Sequence, residues 1–255
     1  MDLGLRGKLA LVTGASAGIG EAVALSLAAE GARLAVAARR RDRLEDVAAR
    51  ALAAGAQEAR AFIVDQSSAE SIARLCADVE ARLGPVEILV VNGGGPRPGT
   101  FSQMAPSDWD AAYALTLQSA LRLVAAVLPG MRARRFGRIV ALESVTVKQP
   151  IPGLVLSNVF RVAVTAALKS LATEVAAEGI TVNTIATGLV ETDRFRSLYD
   201  TKARAAAAVA AIPLGRPATP AEFAPLVTFL CGEPACYVTG QTFSIDGGLT
   251  AGVFG

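Results

Sequence analysis

The stretch that most constrains the fold spans residues 8–21, where a short apolar run leads through a glycine-rich turn into a helical pattern. Residues 9–12 predict a buried strand, and Ile19, Val23 and Leu27 recur at helical spacing. The turn between them carries three glycines: Gly14, Gly18 and Gly20. Glycine lets a ligand approach the main chain closely, and the free N–H groups of a helix start favour a diphosphate. The stretch therefore predicts a dinucleotide-binding βαβ unit.

The rest of the chain repeats this alternation of strands and helices. We predict strands at 9–12, 33–38, 61–65, 86–91, 137–142, 180–186 and 242–246, and long helices at 71–83, 106–131, 156–177 and 220–231. Alternation of this kind indicates right-handed crossovers and a parallel sheet. We therefore expect a single doubly wound α/β domain over residues 1–255, with helices on both faces of the sheet and a substrate lid inserted at about 187–214.

The composition of the 255 residues excludes several classes of protein. A formal net charge of +2 is too small to indicate a nucleic-acid partner. The absence of histidine excludes Ser-His-Asp hydrolysis and the usual zinc sites, so we expect no metal. Three cysteines without a C-x-x-C pair favour reduced thiols. No uninterrupted apolar run of membrane-spanning length and no signal peptide are seen, so we expect a cytoplasmic protein without a membrane partner.

The spacing Thr-Gly-x-x-x-Gly-x-Gly at residues 13–20 resembles that of the short-chain dehydrogenase/reductase family. The resemblance continues in Asn92-Gly93-Gly94, in G-R-I-V-A-L-E-S at 137–144, in L-K-S-L-A-T-E-V at 168–175 and in V-T-G-Q-T-F-S-I-D-G-G at 238–248. It implies a Rossmann fold, a nicotinamide cofactor, a small carbonyl or alcohol substrate and a homo-oligomer, either a tetramer or a dimer. The nearest pattern is that of the 3-oxoacyl-carrier-protein reductases.

The end of the second strand indicates which cofactor to expect, because it meets the adenosine ribose in a dinucleotide fold. The acidic position of the family falls on Ala38, and Arg39 and Arg40 follow it. An arginine can pair with a 2′-phosphate through a charge-assisted hydrogen bond. We therefore predict NADP(H) rather than NAD(H), the alternative being that the arginines from 39 to 43 form only a solvated helix start.

The resemblance also implies a set of cofactor contacts along the carboxyl edge of the sheet. The residues that it assigns to this set are Gly14, Ser16, Gly18, Ile19, Gly20, Arg39, Arg40, Asp65, Gln66, Asn92, Gly93, Gly94, Arg161, Gly188, Val190 and Thr192.

The catalytic positions depart from the family, which passes a proton through the Tyr of a Tyr-x-x-x-Lys motif, with a Ser on the substrate oxygen and an Asn in a water relay. The resemblance places the Ser on Ser144, the Tyr on Ser157, the Lys on Arg161 and the Asn on Thr116. Arg161 keeps a cation that can bond a ribose hydroxyl. Ser157 is a poorer proton donor than Tyr, because the pKa of Tyr is about 10 and that of an aliphatic hydroxyl is far higher.

These departures leave three functions open. We expect a slow or unusual NADP(H)-dependent oxidoreductase of a carbonyl compound, with 3-oxoacyl thioesters as candidates, since acid catalysis supplies only about 10²–10⁴-fold. The runner-up is a catalytically weak or inactive NADP(H)-binding protein that acts as a sensor or assembly partner. The third is a lyase or isomerase without net hydride transfer. Tyr113 or Tyr199 is an alternative proton donor, and Arg194 and Arg196 in the lid would tolerate an acyl chain on a phosphorylated carrier.

Overall fold

The computed structural model describes residues 1–253, and this part of the chain contains one seven-stranded sheet. Its strands are β1 (Leu9–Thr13), β2 (Arg33–Ala38), β3 (Glu58–Ile63), β4 (Ile88–Val91), β5 (Gly137–Ser144), β6 (Ile180–Thr187) and β7 (Thr242–Ile245). They lie in the order β3-β2-β1-β4-β5-β6-β7, and every neighbouring pair is parallel. The predicted doubly wound α/β fold is confirmed.

Helices cover both faces of the sheet. They are α1 (Gly18–Ala29), α2 (Arg41–Ala54), α3 (Ala69–Leu83), α4 (Pro106–Ala112), α5 (Ser119–Arg134), α6 (Val155–Val175), α7 (Asp193–Leu198), α8 (Lys202–Ala210) and α9 (Ala224–Cys231). One core lies between the sheet and α1, α2 and α9, and the other between the sheet and α3, α5 and α6. Strands covered on both faces are apolar along their whole length, as β1 and β4 are.

The strand order places a crevice at the carboxyl ends of β1 and β4. From β1 the chain winds outward to β2 and β3, and it then returns to β4 on the other side of β1. Open α/β sheets bind ligands at such a reversal of strand order, outside the carboxyl ends of the strands. Thr13 and Val91 end the two strands there, so the glycine turn and Asn92 border the crevice.

The predicted strand at 61–65 and the predicted helix at 106–131 differ most from the structure, and β4 and α9 begin later than predicted, at Ile88 and Ala224. Strand β3 begins at Glu58 and ends at Ile63, so Asp65 lies beyond its end. This edge strand contains charged residues, including Glu58, which pairs with Arg33 of β2 at 2.8 Å, and a search for an apolar run misses such a strand. The helix predicted over 106–131 is interrupted by a π-helical turn, Tyr113–Gln118, between α4 and α5. Such turns are rare and recur at functional sites.

Two helical runs, Pro106–Arg134 and Val155–Glu178, are long and apolar enough to cross a membrane, contrary to the expectation that no stretch would be. Both runs pack against the sheet, with Leu123 of α5 and Val164 of α6 in the core. Packing on the sheet accounts for an apolar face on each helix. The insertion at 187–214 contains α7 and α8, and its role as a lid stays a prediction, as does the single-domain boundary.

Candidate functional site

The glycine turn leaves no room for side chains. Gly14 and Gly18 have φ angles of +60° and +62°, a region that favours glycine. A Cβ atom on Gly14 would lie 2.8 Å from the carbonyl oxygen of Asn92, and one on Gly20 would lie 2.5 Å from that of Gly14. Ala17 precedes α1 and gives it no side-chain cap, so the first N–H groups of the helix are open to an anion.

Hydrogen bonds between the ends of β1 and β4 support this turn. Thr13 Oγ1 donates to the carbonyl oxygen of Asn92 at 2.8 Å, and the Asn92 amide N–H donates back to Thr13 Oγ1 at 3.0 Å. Asn92 Nδ2 donates to the Gly14 carbonyl at 3.2 Å. Gln66 Nε2 donates to the Asn92 carbonyl at 2.9 Å, and a Cβ on Gly93 would lie 2.8 Å from Gln66 Oε1. Asn92 and Gln66 therefore hold the backbone of the crevice.

Arginines surround the end of β2. Arg40 donates to Ser16 Oγ from Nε at 3.2 Å and from Nη2 at 3.0 Å. Arg40 and Arg43 also lie 3.9 Å and 3.8 Å from the Asp193 carboxylate, which belongs to the first turn of α7. These exposed cations next to the glycine turn form a site with the charge that a phosphate requires.

Arg39 faces the loop after β3. The pKa of Asp65 is held below its usual value, chiefly by hydrogen bonds from the Ser67 hydroxyl and amide, and to a smaller extent by the Arg39 guanidinium. Ile19 is half-buried and packs against the core under the turn. Gly94 has open space where a Cβ would be. The structure thus brings both predicted arginines, Arg39 and Arg40, to the end of β2.

The segment after β6 crosses over the glycine turn. A Cβ on Gly188 would lie 2.5 Å from the Asp246 Cα, so this exit from β6 is tightly packed. Val190 is buried, and Thr192 Cγ2 lies 3.1 Å from where a Cβ of Gly18 would be. The predicted contacts of this segment therefore lie at the same crevice as the turn.

Thr146 joins two serines near the carboxyl end of β5, Ser144 through its backbone amide and Ser157 through its hydroxyl. The Thr146 amide donates to Ser144 Oγ at 3.2 Å, and Thr146 Oγ1 lies 3.3 Å from Ser157 Oγ on the first turn of α6. Thr146 and Ser157 are buried. Two of the predicted catalytic residues are thus linked through Thr146, which the sequence reasoning missed. Its one local signal is its position two residues after Ser144, where a serine commonly accepts from the backbone.

Arg161 forms a buried ion pair with Glu143. Arg161 Nη1 lies 2.9 Å from Glu143 Oε2, and the side chains are 13% and 4% exposed. Burial raises the pKa of Glu143 above its ordinary value, and the Arg161 guanidinium opposes that rise. Arg161 Nη1 also donates to the Leu142 carbonyl at 3.4 Å. Sequence reasoning did not pair these residues, because nothing local relates position 143 to position 161.

Thr116 lies in the π-helical turn, and its buried hydroxyl has no hydrogen-bond partner among residues 1–253. Buried polar groups are nearly always satisfied, commonly by ordered water. The Thr116 hydroxyl is therefore free to form a hydrogen bond with an ordered water molecule, which is what the predicted role in a water relay needs.

Neither tyrosine considered as a substitute donor has the environment of an acid. The Tyr113 hydroxyl bonds to the Gln118 side chain on the exposed side of the π-helical turn. Burial raises the pKa of Tyr199 above its ordinary value of 10.0, which makes it a weaker acid, and its ring packs on that of Phe195 with centroids 5.1 Å apart. The candidate site consequently contains serine and threonine hydroxyls instead of an acidic phenol.

The residues present fit a phosphorylated dinucleotide. The glycine turn offers open N–H groups without side-chain obstruction, and arginines from the end of β2 flank it. Both features favour phosphate groups, the first by helix-dipole charge and the second by charge-assisted hydrogen bonding.

Comparisons with known proteins agree with this architecture. The family model described as "Enoyl-(Acyl carrier protein) reductase" matches residues 14–250. The chain is 37% identical to "Nodulation protein G" of Rhizobium sp. (strain N33) over 245 residues, covering 96% of this chain and 98% of that protein. It is 36% identical to the 3-oxoacyl-[acyl-carrier-protein] reductase FabG of Escherichia coli (strain K12) over 247 residues, covering 97% and 99%.

A solved structure with the same fold is the L-sorbose reductase of Gluconobacter frateurii in complex with NADPH and L-sorbose. It superimposes with a TM-score of 0.94 at 32% identity and covers 99% of this chain and 100% of that one. The family model and the curated relatives both extend over nearly the whole chain. The chain therefore belongs to the short-chain dehydrogenase/reductase family of oxidoreductases.

Proposed function

We propose that the protein is an NADP(H)-dependent oxidoreductase with an atypical active site, acting on a carbonyl or alcohol substrate, and that 3-oxoacyl thioesters are the first candidates. The observation that carries the proposal is the cluster of Ser144, Thr146 and Ser157 beside the dinucleotide crevice. Hydroxyl groups held in fixed positions can donate hydrogen bonds to a carbonyl oxygen. Stabilisation of this kind is a large part of the catalysis of carbonyl reactions.

Cofactor binding is assigned to the residues at the ends of β1, β2 and β4. The glycine turn would hold the diphosphate, and Arg39 and Arg40 would pair with the 2′-phosphate. When bound, the nicotinamide supplies or accepts the hydride at the substrate carbon. The known complex of the sorbose reductase with NADPH supports this choice of cofactor.

The side chains of this protein would orient the substrate and polarise it. Ser144 and Ser157 would donate to the carbonyl oxygen and stabilise the negative charge that develops there. Serine hydroxyls and water are both weak acids, so we assign proton delivery to a relay through Ser144, Ser157 and ordered water that takes the proton from bulk solvent, with the unpartnered Thr116 hydroxyl as one contact of that water. Turnover slower by about 10²–10⁴-fold than with a tyrosine donor is expected, because that is the usual worth of general acid catalysis.

A second candidate is an NADP(H)-binding protein with little or no turnover. It is favoured by the Arg161–Glu143 pair, because a guanidinium bonded at 2.9 Å to a buried carboxylate is less free to bond a ribose hydroxyl or to acidify a neighbour. Tight binding of NADPH without oxidation by any carbonyl compound would support this candidate.

The two candidates are separated by following NADPH absorbance with a panel of ketones and 3-oxoacyl thioesters. If the first is right, Ser144→Ala and Ser157→Ala each lower kcat by about 10²-fold, the usual effect of losing one such donor. Ser170→Ala is the matched control, since Ser170 is exposed on α6 and bonds only to the Ala166 carbonyl. Calorimetry that shows no binding of NADPH or NADH would contradict both candidates.

Restoring the motif of the family tests whether the proton donor alone is missing. The double variant Ser157→Tyr with Arg161→Lys should raise kcat, and the lysine keeps a cation for Glu143. An unchanged rate in a folded double variant would show that proton supply does not limit turnover.

We also propose a cytoplasmic homo-oligomer that pairs through the long helices. Val159 and Val162 on α6 are 44% and 43% exposed, more than apolar side chains usually are. Leu168 of the same helix is 2% exposed and belongs to the core, so it cannot contribute to this interface. Light scattering should show a tetramer or dimer that Val159→Lys with Val162→Lys converts to a smaller species. A monomeric parent protein would contradict the proposal.

A further inference from the structure

Arg194 reaches from α7 across the crevice to the loop after β4. Its Nη2 donates to the Pro96 carbonyl at 2.8 Å. The guanidinium lies against Gly95, where a Cβ atom would be 2.8 Å from Nη2 and 3.0 Å from Cζ and Nε. Any side chain at position 95 would push the guanidinium away. Arg194 is therefore a half-buried group held at the mouth of the crevice.

The charges around Arg194 are not balanced. Among residues 1–253, Arg194 forms no salt bridge, while the carboxylate of Glu143 bonds to Arg161 at 2.9 Å. Burial lowers the pKa of Arg194, and the nearby Arg161 guanidinium lowers it further. Arg194 and Arg161 are thus neighbouring cations, and the carboxylate of Glu143 is paired with Arg161. A half-buried guanidinium without a salt-bridge partner can bind an anion without first breaking an ion pair.

The neighbouring residues of α7 face different parts of the crevice. Asp193 lies within 3.9 Å of Arg40 and 3.8 Å of Arg43, on the side of the glycine turn. Arg194 is bonded instead to the loop at Pro96. Successive residues of a helix diverge by about 100°, so these two side chains point to separate regions. The open N–H groups of α1 and the arginines after β2 already provide for phosphates.

We propose that Arg194 binds a carboxylate of the substrate, so that the preferred substrate is an oxo acid and not a neutral ketone or ester. The inference rests on the proposed oxidoreductase function, and within the carbonyl substrates of that function it places free oxo acids ahead of the 3-oxoacyl thioesters. The substrate carbonyl would meet Ser144 and Ser157, and its carboxylate would pair with the guanidinium at the other side of the crevice. Arginine is suited to this role because its planar fork binds both oxygens of a carboxylate.

Matched pairs of acid and methyl ester test the proposal. The probes are 2-oxooctanoate and 3-oxooctanoate with their methyl esters, titrated calorimetrically into the full chain saturated with NADP⁺. At least one acid should bind about tenfold more tightly than its ester, because only the acid gains a charge-assisted hydrogen bond with the guanidinium. The preference should disappear in Arg194→Met and persist in part in Arg194→Lys.

Arg204→Met is the control, because Arg204 lies on the neighbouring helix α8, is exposed and pairs with Asp200 at 2.8 Å. It should keep the preference for the acid. Equal affinity for acid and ester, or binding of neither probe by NADP⁺-loaded protein, would overturn the inference and leave cofactor binding intact. Weaker NADPH binding in Arg194→Met, with unchanged acid preference, would assign the guanidinium to the cofactor and also overturn it. Absence of NADPH binding in the parent protein would instead overturn the proposed function and the inference with it.

Discussion

The ends of β1 and β5 border the same crevice, but different kinds of contact hold them. After β1, the critical contacts involve the main chain: Gly14 and Gly20 pack against carbonyl oxygens, Asn92 Nδ2 donates to the Gly14 carbonyl, and Thr13 Oγ1 donates to the Asn92 carbonyl. After β5, they join side chains, as in Glu143–Arg161. A backbone contact of this kind admits only glycine, whereas a side-chain pair can be exchanged for another pair of matching charge. This difference agrees with the proposal that the glycine turn keeps the pattern of the family while the end of β5 departs from it.

The largest effect is expected from Glu143→Ala. This variant sharpens the comparison because it tests whether the Glu143–Arg161 ion pair stabilises the end of β5. Removing the carboxylate leaves Arg161 buried and unpaired, which should lower the free energy of unfolding by about 3–5 kcal/mol. Urea unfolding measures this. Glu174→Ala is the control, since its pair with Arg132 is exposed to solvent and should contribute little to stability. Full stability in Glu143→Ala would contradict a structural role for the pair.

Arg161→Met should cost less, because the carboxylate left behind can take up a proton. Burial already raises the pKa of Glu143, and loss of Arg161 removes the group that opposes the rise. A folded-state pKa above the unfolded value means that stability is fully present below the unfolded pKa and falls as pH rises through the folded pKa. The deficit of the variant relative to the parent protein should therefore widen from pH 4.5 upward. A deficit independent of pH would contradict this assignment.

Gly14→Ala tests the backbone side of the comparison. At a φ of +60° an alanine costs about 1–2 kcal/mol, and its Cβ would also meet the Asn92 carbonyl at 2.8 Å. Gly153→Ala is the control, since Gly153 has a φ of +76° but nothing within 4 Å of an added Cβ. Thermal unfolding should show a clearly larger loss for Gly14→Ala, together with loss of NADPH binding. Equal losses would mean that φ alone matters.

The smallest effect concerns the choice between cofactors. Arg39→Ala should weaken NADPH binding about tenfold, which is about 1.4 kcal/mol, because one charge-assisted hydrogen bond is lost, and leave NADH binding nearly unchanged. The same measurement on Arg40→Ala tests whether Arg40, the second candidate, also contacts the 2′-phosphate. Arg41→Ala is the control, because Arg41 is exposed and lies 3.7 Å from Glu45 of its own helix. Equal losses for NADPH and NADH would contradict the assignment of Arg39.

The parts of the fold that sequence could predict depend on local patterns. Residues 9–21 carry a strand, a turn and a helix start within one short stretch, and the apolar run of β4 has the composition of a central strand. The predicted range of β3 began three residues too late. The strand lies at the edge of the sheet, where charged side chains such as Glu58 remain partly exposed and interrupt the apolar run. The π-helical turn was missed because the apolar residues on either side of it keep a helical spacing, so that residues 106–131 look like one continuous helix.

The candidate site was predictable where it follows family spacing, as at Ser144 and Ser157, and not where it depends on distant pairs. Arg161 and Glu143 are 18 residues apart, and Arg194 and Pro96 are 98 apart. No periodic pattern relates such positions, because the fold alone brings them together. Thr146 was missed for another reason, since a single threonine after a strand carries no distinctive signal.

The π-helical turn changes the direction in which the side chains of α4 point relative to those of α5. Each residue of an α-helix advances the side-chain direction by about 100°, so one extra residue rotates α4 against α5 by roughly that angle. The rotation brings the ring of Trp109 to within 6.1 Å of that of Phe160 on α6. Deleting Ala114 would restore an ordinary helix and turn Trp109 away from α6. Because Trp109 is the only tryptophan of the chain, its emission would report directly on that misalignment.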